Sequence, residues 1–102
     1  MIMQEMIELF LTQLVDARSE LDVLVNSKNW FELSRLAHKI KSSALVMGAE
    51  QIFIDMKELE LSAKESKNTE KYPAIIERLK TKFELVEMEL RPFLGSCQQI
   101  DN

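Results

Sequence analysis

Apolar residues recur at steps of three and four along most of the chain. Met3, Met6/Ile7, Phe10, Leu14, Ala17, Leu21 and Leu24 mark one buried helical face and predict a helix over Ile2–Val25. Leu9, Leu11, Val15 and Val23 fall off that stripe, so the first helix carries more apolar surface than a bundle seam requires. Asn26-Ser27-Lys28-Asn29 interrupts the pattern. Asn29 followed three residues later by Glu32 is the spacing of an N-cap with reciprocal capping, which starts a second helix at Trp30. Its stripe is Leu33, Leu36/Ala37, Ile40, Ala44 and Met47, and Gly48 supplies the left-handed residue that closes it.

A third helix follows from Ala49, with Ile52/Phe53, Met56, Leu59 and Ala63 inward. Lys64 to Thr69 holds no apolar anchor and reads as a loop. The fourth helix begins between Thr69 and Pro73, since proline is tolerated in a first turn. Tyr72, Ile75/Ile76, Leu79, Phe83, Val86 and Leu90 mark its inner side, and Pro92 and Gly95 are expected to end it. Four helices with short connections pack most simply as an all-α, antiparallel up-down-up-down four-helix bundle. The domain is expected over residues 1–95, with 96–102 as a frayed C-terminal tail.

Composition narrows the function classes. A chain of 102 residues is one domain, with room for a single core and not for a deep enzyme cavity. The net charge of −4 argues against a nucleic-acid binder, which would present a basic face. No apolar run approaches the ~20 residues needed to span a bilayer, and no export signal opens the chain, so a cytoplasmic location is expected. The single Cys97 has no partner for an internal disulfide and reads as a reduced thiol.

Candidate chemistry centres on the only histidine, in His38-Lys39-Ile40-Lys41-Ser42-Ser43-Ala44. The buried stripe passes through Ala37 and Ile40, so His38 is rotated outward, sharing a face with Ser34, Lys41, Ser42 and Leu45. A neutral imidazole there is a nucleophile at physiological pH. Lys41, one turn on, can bring positive charge to a transferring phosphoryl group. Glu60 is its geometric partner: His38 lies ten residues before Gly48 and Glu60 twelve after it. Antiparallel helices joined at that turn place the two at heights differing by roughly 3 Å. Glu60 can then accept from the imidazole Nδ1–H and leave Nε2 to attack; a plain surface pairing with Lys57 or Lys64 is the alternative. Ser42 and Ser43 have no base to activate them as nucleophiles.

The segment resembles the phospho-accepting stretch of histidine-containing phosphotransfer (HPt) domains. That pattern is roughly His-x-Leu-Lys-Gly followed by small residues, then a Gly-Ala and a helix ending near Leu-Glu, matched here by Gly48-Ala49 and Leu59-Glu60. The resemblance is dense from Asn29 to Glu60, and the other helices match only in pattern. Ser42 stands where the family usually has glycine, which keeps the surface beside the histidine low. Many members carry a further short helical segment ahead of the first long helix. Both an excised domain of a hybrid sensor kinase and a stand-alone carrier fit this start.

The resemblance implies a monomeric phosphorelay intermediate. His38 would take a phosphoryl group from one receiver-domain aspartate and pass it to another, with Lys41 stabilising charge and Glu60 orienting the ring. Its partners would be receiver domains of a hybrid sensor kinase and of a response regulator. No cofactor of its own is expected, Mg²⁺ belonging to the receiver, and no nucleotide loop marks it as a kinase. Receiver domains in this family dock on an apolar patch around the histidine. Ser42, Leu45, Leu11 and Val15 are the candidates, unless the helical phase differs and the apolar three belong to the core. A non-catalytic helical module that docks a signalling partner, and a phosphate sink, are the competing readings.

Overall fold

The computed structural model describes the backbone of residues 2–101 and the side chains of residues 5–92. It is all-helical: α1 (Ile2–Asn26), α2 (Trp30–Met47), α3 (Glu50–Lys64), a 3₁₀ turn (Thr69–Lys71) and α4 (Tyr72–Asp101). The helices form a bundle in which each packs against its neighbours in sequence and α4 returns to α1, the α2–α3 contact being the most extensive. Among the described residues, no helix is long and apolar enough to cross a membrane.

The core is the set of stripes read from the sequence. Phe10, Leu14, Ala17 and Leu21 of α1 meet Leu33, Ala37, Ile40 and Ala44 of α2. Ile52, Met56, Leu59 and Ala63 of α3 and Tyr72, Ile75, Ile76, Leu79 and Phe83 of α4 complete it. Trp30 stands edge-on to Tyr72 with ring centroids 5.1 Å apart. The Tyr72 hydroxyl donates to the Lys67 carbonyl at 2.6 Å, tying down the connection before α4. The expectation for Met3 falls on a side chain outside the described residues, as does that for Cys97.

Local rules set the helix ends that position the site. Asn29 Oδ1 accepts from the Glu32 amide at 3.3 Å, starting α2. Gly48 closes α2 at φ 75°, with its amide bonded to Leu45 O and the Ala49 amide to Ala44 O. α1 and α3 end in the same paired bonds, but their left-handed residues are Lys28 (φ 58°) and Ser66 (φ 54°).

The expectations for the end of α4 and for Leu11 are corrected. α4 does not stop at Pro92 or Gly95; its backbone continues to Asp101, through the segment expected to be a frayed tail. Proline removes one N–H donor and disfavours the turn before it, but Met88, whose carbonyl loses that donor, is exposed, so water can satisfy it. Leu11 is the second correction: it is buried, at 9% exposure. α1 is covered by α4 as well as α2. The side bearing Leu11 and, seven residues on, Arg18 is the one that reaches Glu87 of α4, at 3.1 Å.

Candidate functional site

His38 sits on the outer side of α2 facing α3, its side chain 62% exposed. Ala37 and Ile40 beside it are fully buried, which fixes the rotation of α2 and turns the imidazole outward. The tight α2–α3 turn at Gly48 brings Glu60 alongside. His38 Nδ1 and Glu60 Oε2 are 2.9 Å apart.

Glu60 is 6% exposed, a buried carboxyl at the edge of the α3 stripe. Burial pushes it up, but the contacts from Lys41 and His38 outweigh burial and hold it below the usual carboxylate range. An ionised carboxylate has only acceptors, so the 2.9 Å contact is Nδ1–H donating to Oε2. In the neutral ring Nε2 then carries the lone pair.

Lys41 belongs to the same constellation. Its Nζ lies 2.7 Å from Glu60 Oε1, an ion pair that helps hold the carboxyl ionised. The lysine side chain is only 23% exposed, lying along the groove between α2 and α3. One carboxylate therefore serves both the imidazole and the ammonium. Spacing along the sequence places His38 near Glu60, but it assigns Lys41 to the phosphoryl group and does not show that the lysine shares the carboxylate.

The remaining candidates fare differently. Ser42 is exposed, and its hydroxyl turns back to donate to the His38 carbonyl at 3.1 Å, so it folds onto its own helix. Leu45 is 65% exposed on the His38 side of α2. Ser34, expected outward, is buried. Leu11 is inside, as described above, and is not available to a partner. Val15 is exposed but lies three and seven residues before Arg18 and Asp22, which pair with Glu87 and Lys80 of α4. It therefore lies on the side of α1 away from α2 and does not border His38.

The apolar surface that does approach His38 is a shallow groove between α1 and α2. Leu9, Phe10, Leu36, Val46 and Met47 give it apolar walls, with Lys39 and Ser43 on its rim. Leu36 and Lys39 also line the depression that holds His38 and Glu60, so the two are continuous. Leu9 was legible as an off-stripe residue. Val46 was not singled out, although two consecutive exposed apolar residues, Leu45-Val46, are a signal at the surface of a helix.

The family model for the Hpt domain matches residues 5–89. Searches of curated proteins and of solved structures found no match.

Proposed function

The chain belongs to the Hpt domain family, a phosphotransfer module of two-component signalling, and we propose that it is a phosphorelay intermediate with His38 as its phospho-acceptor. The observation that carries this reading is the hydrogen bond from the exposed His38 to the buried, ionised Glu60. It aligns the ring, selects the Nδ1–H tautomer and leaves a lone pair at Nε2.

The step balances without a proton leaving the ring. The Nε2 lone pair bonds to phosphorus of a receiver's aspartyl phosphate. The bond from phosphorus to the carboxyl oxygen breaks, and its electron pair stays with the aspartate. The product is a phosphoimidazolium still protonated at Nδ1, whose positive charge faces Glu60. Reversal onto a second receiver's aspartate passes the group on. Phosphoryl transfer asks mainly for positioning and charge stabilisation, and Lys41, which shares Glu60 with the ring, is the cation assigned to it. Mg²⁺ is assigned to the receiver, and the chain is a carrier without its own nucleotide site.

The partners are receiver domains of a hybrid sensor kinase and of a response regulator, met in the cytoplasm by a monomeric chain. Docking is assigned to the outer face of α2 around His38, with Ser42, Leu45 and Val46, and to the α1 edge of the groove with Leu9. The bundle is read as antiparallel, up-down-up-down. Arg18 and Asp22 ascend α1 while their partners Glu87 and Lys80 descend α4. Gln51 and Glu58 likewise meet Lys82 and Arg78 in reverse order, which supports the same reading.

The test is incubation with a panel of phosphorylated receiver domains, followed by analysis of this chain for acid-labile, base-stable phosphate. Label is expected on the wild type and absent from His38→Gln, with the helical circular-dichroism signal unchanged. Label that persists in the variant, label in an acid-stable linkage, or none on the wild type would overturn the reading.

A further inference from the structure

A single buried carboxylate faces two groups at once. Glu60 Oε2 accepts from His38 Nδ1 at 2.9 Å, while Oε1 lies 2.7 Å from Lys41 Nζ. We propose that Lys41 is a positioning residue for His38 that acts through Glu60: by compensating the carboxylate, it keeps Nε2 of the imidazole free of a proton. The purpose of this device rests on the phosphorelay reading; its content rests on the geometry of the three side chains.

A carboxylate that is only 6% exposed is desolvated, and an ion taken out of water is costly when its charge is not compensated. Without Lys41 it has two ways out. It can draw a second proton onto the ring, giving an imidazolium protonated at both nitrogens. It can instead take a proton itself and donate it to Nδ1, which moves the ring proton to Nε2. Both outcomes occupy the lone pair that attack requires. With Lys41 present, the charge is met before the ring has to meet it, and Glu60 keeps its acceptor turned to Nδ1–H.

Among the described residues, no cation other than Lys41 and the His38 ring pairs with Glu60 as the side chains stand. Glu20 of α1, Glu32, Arg35 and Lys39 of α2, and Lys64 of α3 line the same depression. Arg35 is engaged by Glu32 at 3.5 Å. The half-buried position of Lys41 points the same way: a lysine reserved for an incoming phosphoryl group has no need to lie along the α2–α3 groove with its ammonium on an internal carboxylate. Contact with the phosphoryl group then becomes a later exchange of one anion for another.

The experiment is ¹⁵N-resolved NMR of the His38 ring in the full chain at neutral pH, with no partner present. In the wild type the Nδ1–H tautomer with bare Nε2 should predominate among neutral rings. In Lys41→Met the fraction of rings with bare Nε2 should fall roughly threefold, the scale set by losing an opposite charge within a few ångströms. Lys41→Arg should keep most of it. Lys41→Met combined with Glu60→Gln should restore it, because no charge remains to compensate and the amide oxygen still accepts from Nδ1–H. That rescue also separates the effect from any loss of fold in Lys41→Met. A ring unchanged in Lys41→Met, as expected of a lysine acting only on the phosphoryl group, would overturn the inference. So would failure of the double variant to restore bare Nε2. Because the readout needs no receiver, these ring changes would stand even if no receiver labelled the chain, and the two readings fail separately.

Discussion

Leu11 and Val15 are one turn apart on α1 and meet opposite environments. Both are apolar and both fall off the main stripe, so the sequence pattern alone leaves them together, as one exposed patch or as part of the core. The packing of the bundle, in which α4 as well as α2 covers α1, separates them: Leu11 is buried and Val15 is exposed. Leu11→Asp is therefore expected to cost about 3 kcal/mol of stability, since it removes buried apolar surface and buries a charge without a partner. Val15→Asp should stay within about 0.5 kcal/mol. Denaturant unfolding of the two variants checks both, and equal effects would mean that α4 does not cover this side of α1. His38 and Glu60 were legible because helical rise and a single glycine turn fix their relative height. The sharing of Glu60 with Lys41 was not, because it depends on which way two side chains turn in a groove. Periodicity does not encode that.

The helices illustrate how far local signals carry. The α2–α3 turn that brings Glu60 to His38 was readable from Gly48, whose left-handed φ of 75° costs a glycine little. A Cβ there would meet nothing within 4 Å, so Gly48→Ala should be destabilising by about 1 kcal/mol through backbone strain alone. The ends of α1 and α3 adopt the same closure with Lys28 and Ser66 in the left-handed position. Nothing in the residue types announced that. Lys28→Gly is accordingly expected to stabilise the chain by about 0.5 kcal/mol, the relief of strain exceeding the added freedom of the unfolded chain. Thermal unfolding of these two variants should shift in opposite directions. The other end of the scale is α4, where proline and glycine signals predicted a stop and the helix runs on. Such residues weaken a helix locally without forbidding its continuation on the far side.

At the scale of the whole molecule, buried carboxylates link the helices and set the response to acid. Asp55 of α3, 4% exposed, accepts from Arg78 Nη2 at 3.2 Å and from Lys82 Nζ at 2.6 Å, both on α4. Burial pushes its carboxyl up, and the two α4 cations outweigh that and hold it below its usual value. Glu60 is lowered in the same way between α2 and α3. In the unfolded chain both groups titrate in the ordinary carboxylate range near 4, so on acidification the unfolded state takes up protons first. Their contribution to stability is fully present above that range and is lost as pH falls through it and then through the folded values. Asp55→Asn should therefore cost about 1–2 kcal/mol at neutral pH and flatten the acid limb of stability measured by denaturant titration; an unchanged limb would remove Asp55 from this role. The central claim, that His38 carries a phosphoryl group between receivers, is tested most directly by a chase. The phosphorylated chain is freed of its donor and mixed with a second, unphosphorylated receiver domain drawn from a panel. The account predicts that label leaves His38 and appears on an aspartate of a receiver. Label that stays on the chain with every receiver, until it is lost as inorganic phosphate, would contradict it.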